Sequence, residues 1–222
     1  MEAKLWGLAL HSLGETLYMV SVSGLLAFAM GLPLGALLFF TRPQGLYPRT
    51  NIQMPLALMV NATRSLPFII LMIVLIPLTR AVVGSSIGIH AALVPLTLGA
   101  LPFVARLVET AFSEIPRGTL DMALAYGATP LQMFTRILIP EALPSLIQAA
   151  TLCLISLVGY SAMAGAMGGG GLGDLAIRYG YQRFHTPLML LTAAILIALV
   201  QGIQSIGDFL ARNLDRKAKV VE

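Results

Sequence analysis

The chain has 222 residues, of which 57% are hydrophobic and only 11% charged, with a mean hydropathy of +0.85. Soluble domains carry about 25% charged residues, so this composition overfills any water-soluble core of its size and excludes a soluble globular protein. The net charge of +4 is explained by where the basic residues fall along the chain, with no need of a nucleic-acid partner.

A bilayer-crossing helix takes about 20 largely apolar residues, and five such stretches follow one another, near 14–40, 54–79, 89–111, 142–166 and 187–210. The fold class is therefore all-α and polytopic, a single membrane domain over 1–222. The uncharged run after Glu15 reaches Thr41, longer than the ~7–15 apolar residues of a cleavable signal, and reads as a retained first span. Pro33 with Gly31 and Gly35 predicts a kink in that span, and Pro67 one in the second; Pro95 and Pro102 lie in the third. Such breaks are tolerated where neighbouring helices satisfy the freed backbone groups, which calls for a bundle in contact with membrane lipid.

Basic residues favour the cytoplasmic side. Arg42 and Arg49 follow the first span, Arg106, Arg117 and Arg136 lie between the third and fourth, and Arg212, Arg216, Lys217 and Lys219 form a basic tail over 212–222. These nine face Lys4, Arg80, Arg178 and Arg183 on the other side. The count puts the N-terminus outside, the C-terminus inside, and the 112–141 segment in the cytoplasm.

Arg64, within the second span, costs about 2.5–3.5 kcal/mol at membrane depth. It reads either as an anchor snorkelling toward the cytoplasmic interface or as a partner for an acidic group or helix end along the path. Cys153 lies in an apolar run and reads as a small core residue.

The cytoplasmic segment is punctuated. Residues 119–126, TLDMALAY, predict a two-turn helix with Thr119 as N-cap, Asp121 near its positive end and Gly127 in the left-handed C′ position. Leu120, Ala123, Leu124 and Gly127 share one face. TPLQ then restarts a helix, with Thr129 as N-cap, Pro130 at N1 and Gln132 in capping-box spacing, beside Ala128. So short a helix is not stable alone in water; it must pack on its own spans or dock into another protein.

In the fourth span, Ser156, Tyr160, Met163 and Met167 recur at helical spacing, while Gly159, Ala162 and Ala166 form a small-residue face suited to close packing. The first stripe either lines a path, with Met163 as a flexible apolar gate, or is core. GAMGGGGLG (165–173) has neither the Lys-Ser/Thr nor the preceding strand of a phosphate loop. Gly168, Gly169, Gly170 and Gly171 either let backbones pack closely or form a docking surface outside. No His, Cys, Asp and Glu pattern has metal-ligand spacing, and no catalytic triad can be assembled.

Asp121, Ala123, Gly127, Ile137, Ile139 and Pro140 fall at the spacing of the EAA loop, E-A-A-x(3)-G-x(9)-I-x-L-P, of ABC-importer permeases. Asp121, Met122 and Ile139 depart mildly from that pattern. Over roughly 13–210 the chain is similar to the methionine-uptake permeases, through TRP (41–43), RSLPFIIL (64–71), VPLTLGALPF (94–103), LIPEALP (138–144) and LVGYSAM (157–163). The resemblance implies a type I importer permease fold and a coupling helix seated in a separate ATPase, with Leu120, Asp121, Ala123, Leu124, Gly127, Ala128, Thr129, Pro130, Ile137 and Pro140 at the contact. It also implies an inner-membrane location, a cytoplasmic ATPase dimer that binds the ATP and magnesium, a methionine-binding protein outside, and uptake of D- and L-methionine without enzymatic chemistry in this chain. Five spans enclose little space, so a homodimer with the path on its axis is expected. The rivals are another amino acid as cargo, or an ion-coupled secondary transporter, which would keep more ionisable residues at membrane depth.

Overall fold

The computed structural model describes residues 2–43 and 45–214, and among these every regular element is helical. Helix α1 spans Glu2–Thr41, 40 residues, or about 60 Å at 1.5 Å per residue, twice the ~30 Å of a bilayer's hydrocarbon core. It begins well before the expected boundary at 14 because the early segment has its own partners: Ala9 is fully buried with Leu175 and Leu188. The helix also runs on through Pro33. A Cβ on Gly31 would lie 2.6 Å from Val104 Cγ1, and one on Gly35 2.5 Å from the Ala105 carbonyl oxygen. These two glycines serve a close helix contact.

The second predicted span, 54–79, is not one straight helix. It consists of α2 (Thr50–Ser65), α3 (Phe68–Val74) and α4 (Ile76–Val83), with α2 and α3 bent by 109°. Pro67 has no N–H to give the Thr63 carbonyl and holds the residue before it extended. Leu66 accordingly sits at φ −83°, ψ 131° and donates its own N–H to Thr63 at 3.3 Å.

Helix α5 (Ile89–Ser113) keeps Pro95 and Pro102 inside it, both buried, and packs against α1, α2, α3, α4 and α9. Then come α6 (Arg117–Ala125), α7 (Pro130–Gln132), a π-helical turn over Met133–Leu138 and α8 (Ile139–Glu141). Helix α9 (Leu143–Ala164) leads through a π-helical turn, Gly165–Gly169, into α10 (Gly171–Asp174), another π-helical turn at Leu175–Tyr181, and α11 (Thr186–Leu214). The basic tail beyond Leu214 lies outside the described residues. Among the described residues four helices are long and apolar enough to cross a membrane, five if the bent α2–α3 pair counts as one span.

One apolar core runs the length of the bundle. Met19, Ala27 and Phe39 of α1 meet Leu96, Val104, Val108 and Phe112 of α5, with Leu157 and Val158 of α9. The lone Cys153 is buried in it, as expected. Its ends are tied by polar contacts. At one end Arg42 donates to Ser113 Oγ at 2.7 Å, and Ser145 Oγ donates to Glu114 at 2.5 Å. At the other, the Gly88 N–H reaches the Gly168 carbonyl at 2.9 Å.

Candidate functional site

The punctuated segment, 116–141, lies at the Arg42–Ser113 end. Helix α6 starts at Arg117, with Pro116 in the cap position. Thr119 is therefore inside the first turn, its N–H bonded to the Pro116 carbonyl at 3.1 Å, and not the N-cap. Pro116, held at φ −57°, ψ 134°, sets the boundary instead. The shift also carries Asp121 out of the first turn, where the helix dipole would favour it; it lines a small groove with Arg42, Arg117, Leu120 and Leu124.

The end of α6 follows the sequence reading closely. Gly127 has φ +74°, its N–H bonds the Leu124 carbonyl at 2.9 Å, and the Ala128 N–H bonds that of Ala123 at 3.0 Å. This pair of bonds is a Schellman motif. The next helix is sealed at once: Thr129 Oγ1 accepts from the Gln132 N–H at 3.3 Å while Gln132 Oε1 accepts from the Thr129 N–H at 2.9 Å. Two terminators thus meet with no slack residue between them.

Leu120, Ala123, Met133 and Leu138 belong to the same core as the spans. Two of the residues assigned to the ATPase contact, Leu120 and Ala123, are therefore buried in their own chain. They hold α6 in place and cannot face a partner. Ile137 is half-buried, whereas Asp121, Leu124, Gly127, Thr129, Pro130 and Pro140 are exposed. Beside them stand Met122, 57% exposed, Tyr126, 87%, and Leu131, 70%, none of which the sequence reading assigns to the contact. Met122 could be read from the sequence: it lies about 200° round the helix from Leu120, on the face away from the core.

At the far end, the glycine run is a seat for α1. Glu15 Oε2 accepts from the Gly171 N–H at 2.7 Å and Thr16 Oγ1 from the Leu172 N–H at 2.9 Å. Gly169 and Gly171 are buried, and Gly168 and Gly170 only partly exposed. Of the two readings offered for these glycines, the structure displays close packing; buried Gly169 and Gly171 present nothing to a docking protein. The same end gathers His11, paired with Glu15 at 3.1 Å, and His90, near Tyr18 at 3.5 Å.

The α9 stripe does not stay together. Tyr160 stacks on Phe68, ring centroids 4.6 Å apart, while Met167 lines a separate cavity with Met72, Ala91 and Pro95. Met163 lines neither and is 43% exposed. Gly159 and Ala166 are exposed as well, and a Cβ on Gly159 would meet nothing within 4 Å. Gly159 and Ala166 are thus open within the chain beside Met163, whereas Ala162 is half-buried with its backbone against Gly173. Arg64 is not near the end of a straight span. It sits in the last turn of α2, at the break, with its guanidinium 5.9 Å from the ring of Phe103, near the middle of α5.

Comparison with known proteins places these features in a family. Residues 25–220 match the family described as "Binding-protein-dependent transport system inner membrane component". A probable D-methionine transport system permease protein, MetI, from Vibrio cholerae is 50% identical over 210 residues, covering 95% of this chain and 93% of that one. The D-methionine transport system permease protein MetI of Escherichia coli K12 is 51% identical over 164 residues, 74% of this chain and 75% of its own. The solved inward-facing MetNI methionine ABC transporter superposes with a TM-score of 0.94 at 47% identity, over 97% of this chain and 100% of that one. An amino acid ABC transporter, 18% identical with a TM-score of 0.77 over 96% of each chain, shares the fold.

Proposed function

The chain belongs to the family of binding-protein-dependent transport system inner membrane components, and we propose that it is the membrane subunit of an ATP-driven importer that carries D- and L-methionine inward. The observation that carries this reading is the α6–α7 corner. A two-turn helix is anchored from behind by Leu120 and Ala123 and locked in front by the Gly127 and Thr129 caps, and the corner it forms with α7 presents Met122, Tyr126 and Leu131 outward. A surface loop needs no such anchoring.

A separate ATPase dimer, holding the ATP and magnesium, seats on that outward face. Its movement passes through Leu120, Met133 and Leu138 into the ends of α1, α5 and α9, since all share one core. A second copy of this chain packs on the open α9 face at Gly159 and Ala166, with Met163 near the axis between copies. A methionine-binding protein delivers its cargo at the glycine end, which faces outside by the basic-residue count. Methionine as cargo is supported by the relatives' names and by about 50% identity to them.

The test is uptake of labelled methionine into proteoliposomes holding the chain with its ATPase. Uptake should require ATP inside or outside according to the ATPase side, and should vanish without the ATPase. Uptake driven by an ion gradient with no ATPase present would replace this reading with a secondary transporter.

A further inference from the structure

The core that α6 shares with the spans holds residues of α1, α5 and α9, and among the described residues none of α2. A separate run of hydrogen bonds does reach α2. Arg42, at the end of α1, donates to Ser113 Oγ, and Ser113 Oγ donates to the Glu109 carbonyl, both at 2.7 Å. The Glu109 carboxylate pairs with Arg106, whose other terminal nitrogen donates to Asn61 Oδ1 at 3.0 Å. On α2 the Asn61 carbonyl accepts from Ser65 Oγ at 2.9 Å, and Ser65 is the last residue before the extended Leu66 at the break. One polar track thus crosses from the end of α1 through α5 to the α2–α3 break.

Charge balance does not require the whole of it. Arg106 lies about two turns before the end of α5, and the Arg106 and Glu109 side chains are only 24% and 15% exposed. A charge at that depth has to be compensated, and Glu109 does so alone. The further bond to Asn61 adds nothing to neutrality; it joins a second helix. Among the described residues it is the one hydrogen bond from α2 to α5. The apolar contact beside it, Val60 with Ala105, is non-directional.

The α6 corner meets this track at Arg42. The guanidinium stands 4.4 Å from the centroid of the Phe39 ring and lines a groove with Arg117, Leu120 and Asp121 of α6. Burial pushes Arg42 below the ordinary arginine range, Glu109 draws it back up, and Arg117 presses it down. A shift of α6 that moves Arg117 therefore changes the field on Arg42, and with it the hold on Ser113 and Glu109.

We infer that this track makes the last turn of α2, and with it the α2–α3 break, follow the corner on which the ATPase seats. Glu109 is its positioning residue, because its carbonyl takes the α1 side and its carboxylate the α2 side. The inference rests on the function proposed above and adds a route into α2 that the apolar core does not supply.

The test is made on the permease–ATPase complex in proteoliposomes, with methionine uptake, ATP hydrolysis and thermal melting read on the same preparation. Asn61 and Ser113 are both exposed, so Asn61→Leu and Ser113→Ala cut the track on either side of Glu109 without opening the core. Each should leave melting and ATP hydrolysis near wild type and lower the methionine carried per ATP about tenfold, within the range that changes along a coupling network produce. Asn61→Asp, which keeps an acceptor for Arg106, should restore most of it. The double variant should be no worse than the poorer single one, because both cut the same track. Glu109→Gln strands the Arg106 charge and should lower the melting temperature as well, so the decision rests on the two exposed positions.

Wild-type complex that carries no methionine overturns the functional reading. With wild-type transport intact, an unchanged ratio of uptake to ATP in Asn61→Leu overturns the track alone, and so do additive losses in the double variant. A melting temperature that falls while that ratio holds would make Arg106–Asn61 a static clamp and overturn it too.

Discussion

The carboxylate of Glu15 and the backbone N–H of Gly171 are hydrogen-bonded at 2.7 Å across 156 residues of sequence. The contact depends on the absence of side chains. A Cβ on Gly170 would stand 3.0 Å from the same oxygen, and one on Gly171 2.7 Å from Thr16 Oγ1, at backbone φ of +83° and +79°. Removing the acceptor with Glu15→Ala should destabilise the protein by about 1–3 kcal/mol, the cost of an orphaned buried donor. Glu15→Gln, which keeps an acceptor oxygen, should lose less. Gly171→Ala should be worse than Gly159→Ala, where the added methyl meets nothing within the chain. Thermal melting of the purified protein ranks all four.

At the other end, Gly127→Val introduces strain without a clash: no atom lies within 4 Å of a Cβ there, yet φ is +74°. The left-handed conformation costs an L-residue roughly 1–2 kcal/mol, and more for a β-branched one. Membrane insertion should be normal while uptake and co-purification with the ATPase fall. Gly127→Asn, a residue that tolerates this region, should retain most activity. Normal uptake by the valine variant would remove the coupling role from α6.

The two faces of α6 should separate cleanly. Leu120 is 4% exposed, so Leu120→Ala should cost about 2–5 kcal/mol by opening a cavity and lower the melting temperature. Tyr126→Ala removes a side chain with almost no contacts in its own chain; melting should not change, and ATPase retention on an affinity column should drop. Equal retention by both would mean that the exposed face does not dock.

Met163 is too exposed to act as core within one chain. Met163→Ala should change stability by no more than about 0.5 kcal/mol, as for surface positions, and raise substrate leak from liposomes if two copies meet there. Destabilisation without leak would turn this residue into packing between copies.

Topology can be read with single cysteines in a Cys153→Ala background. Thr129 is exposed at one end and Tyr181, 70% exposed, at the other; a cysteine at Gly170 would crowd Glu15 and is a poor reporter. A membrane-impermeant thiol reagent should label Tyr181→Cys in intact cells, and Thr129→Cys only after the cytoplasmic side is opened. The reverse pattern would invert the orientation.

What could be read from the sequence was local. Gly127, Thr129, Pro130 and Gln132 form their caps within a few residues of one another, so spacing alone specified them. Thr119 misled because a good capping residue also fits inside a first turn, and Pro116 had settled the boundary. Pro67 signalled a bend; its size, 109°, came from the lost donor and the extended Leu66 acting together. Glu15 gave no signal at all. Its partner is a backbone group more than a hundred residues later, and only the folded chain brings them into range. The same holds for the split of Tyr160, Met163 and Met167, which share a helical stripe but meet different neighbours.

Helix α1 is fixed at Glu15 and Thr16 to the glycine seat, at Gly31 and Gly35 to the backbone and side chains of α5, and at its end through Arg42 to Ser113. On a helix of 3.6 residues per turn, one inserted or deleted residue rotates everything beyond it by about 100° and shifts it by about 1.5 Å. Any such change between Thr16 and Arg42 would put one end's contacts out of phase with the other's, however well the new residue suited a membrane. Substitutions along the lipid side of this helix can accumulate freely. Its residue count cannot drift.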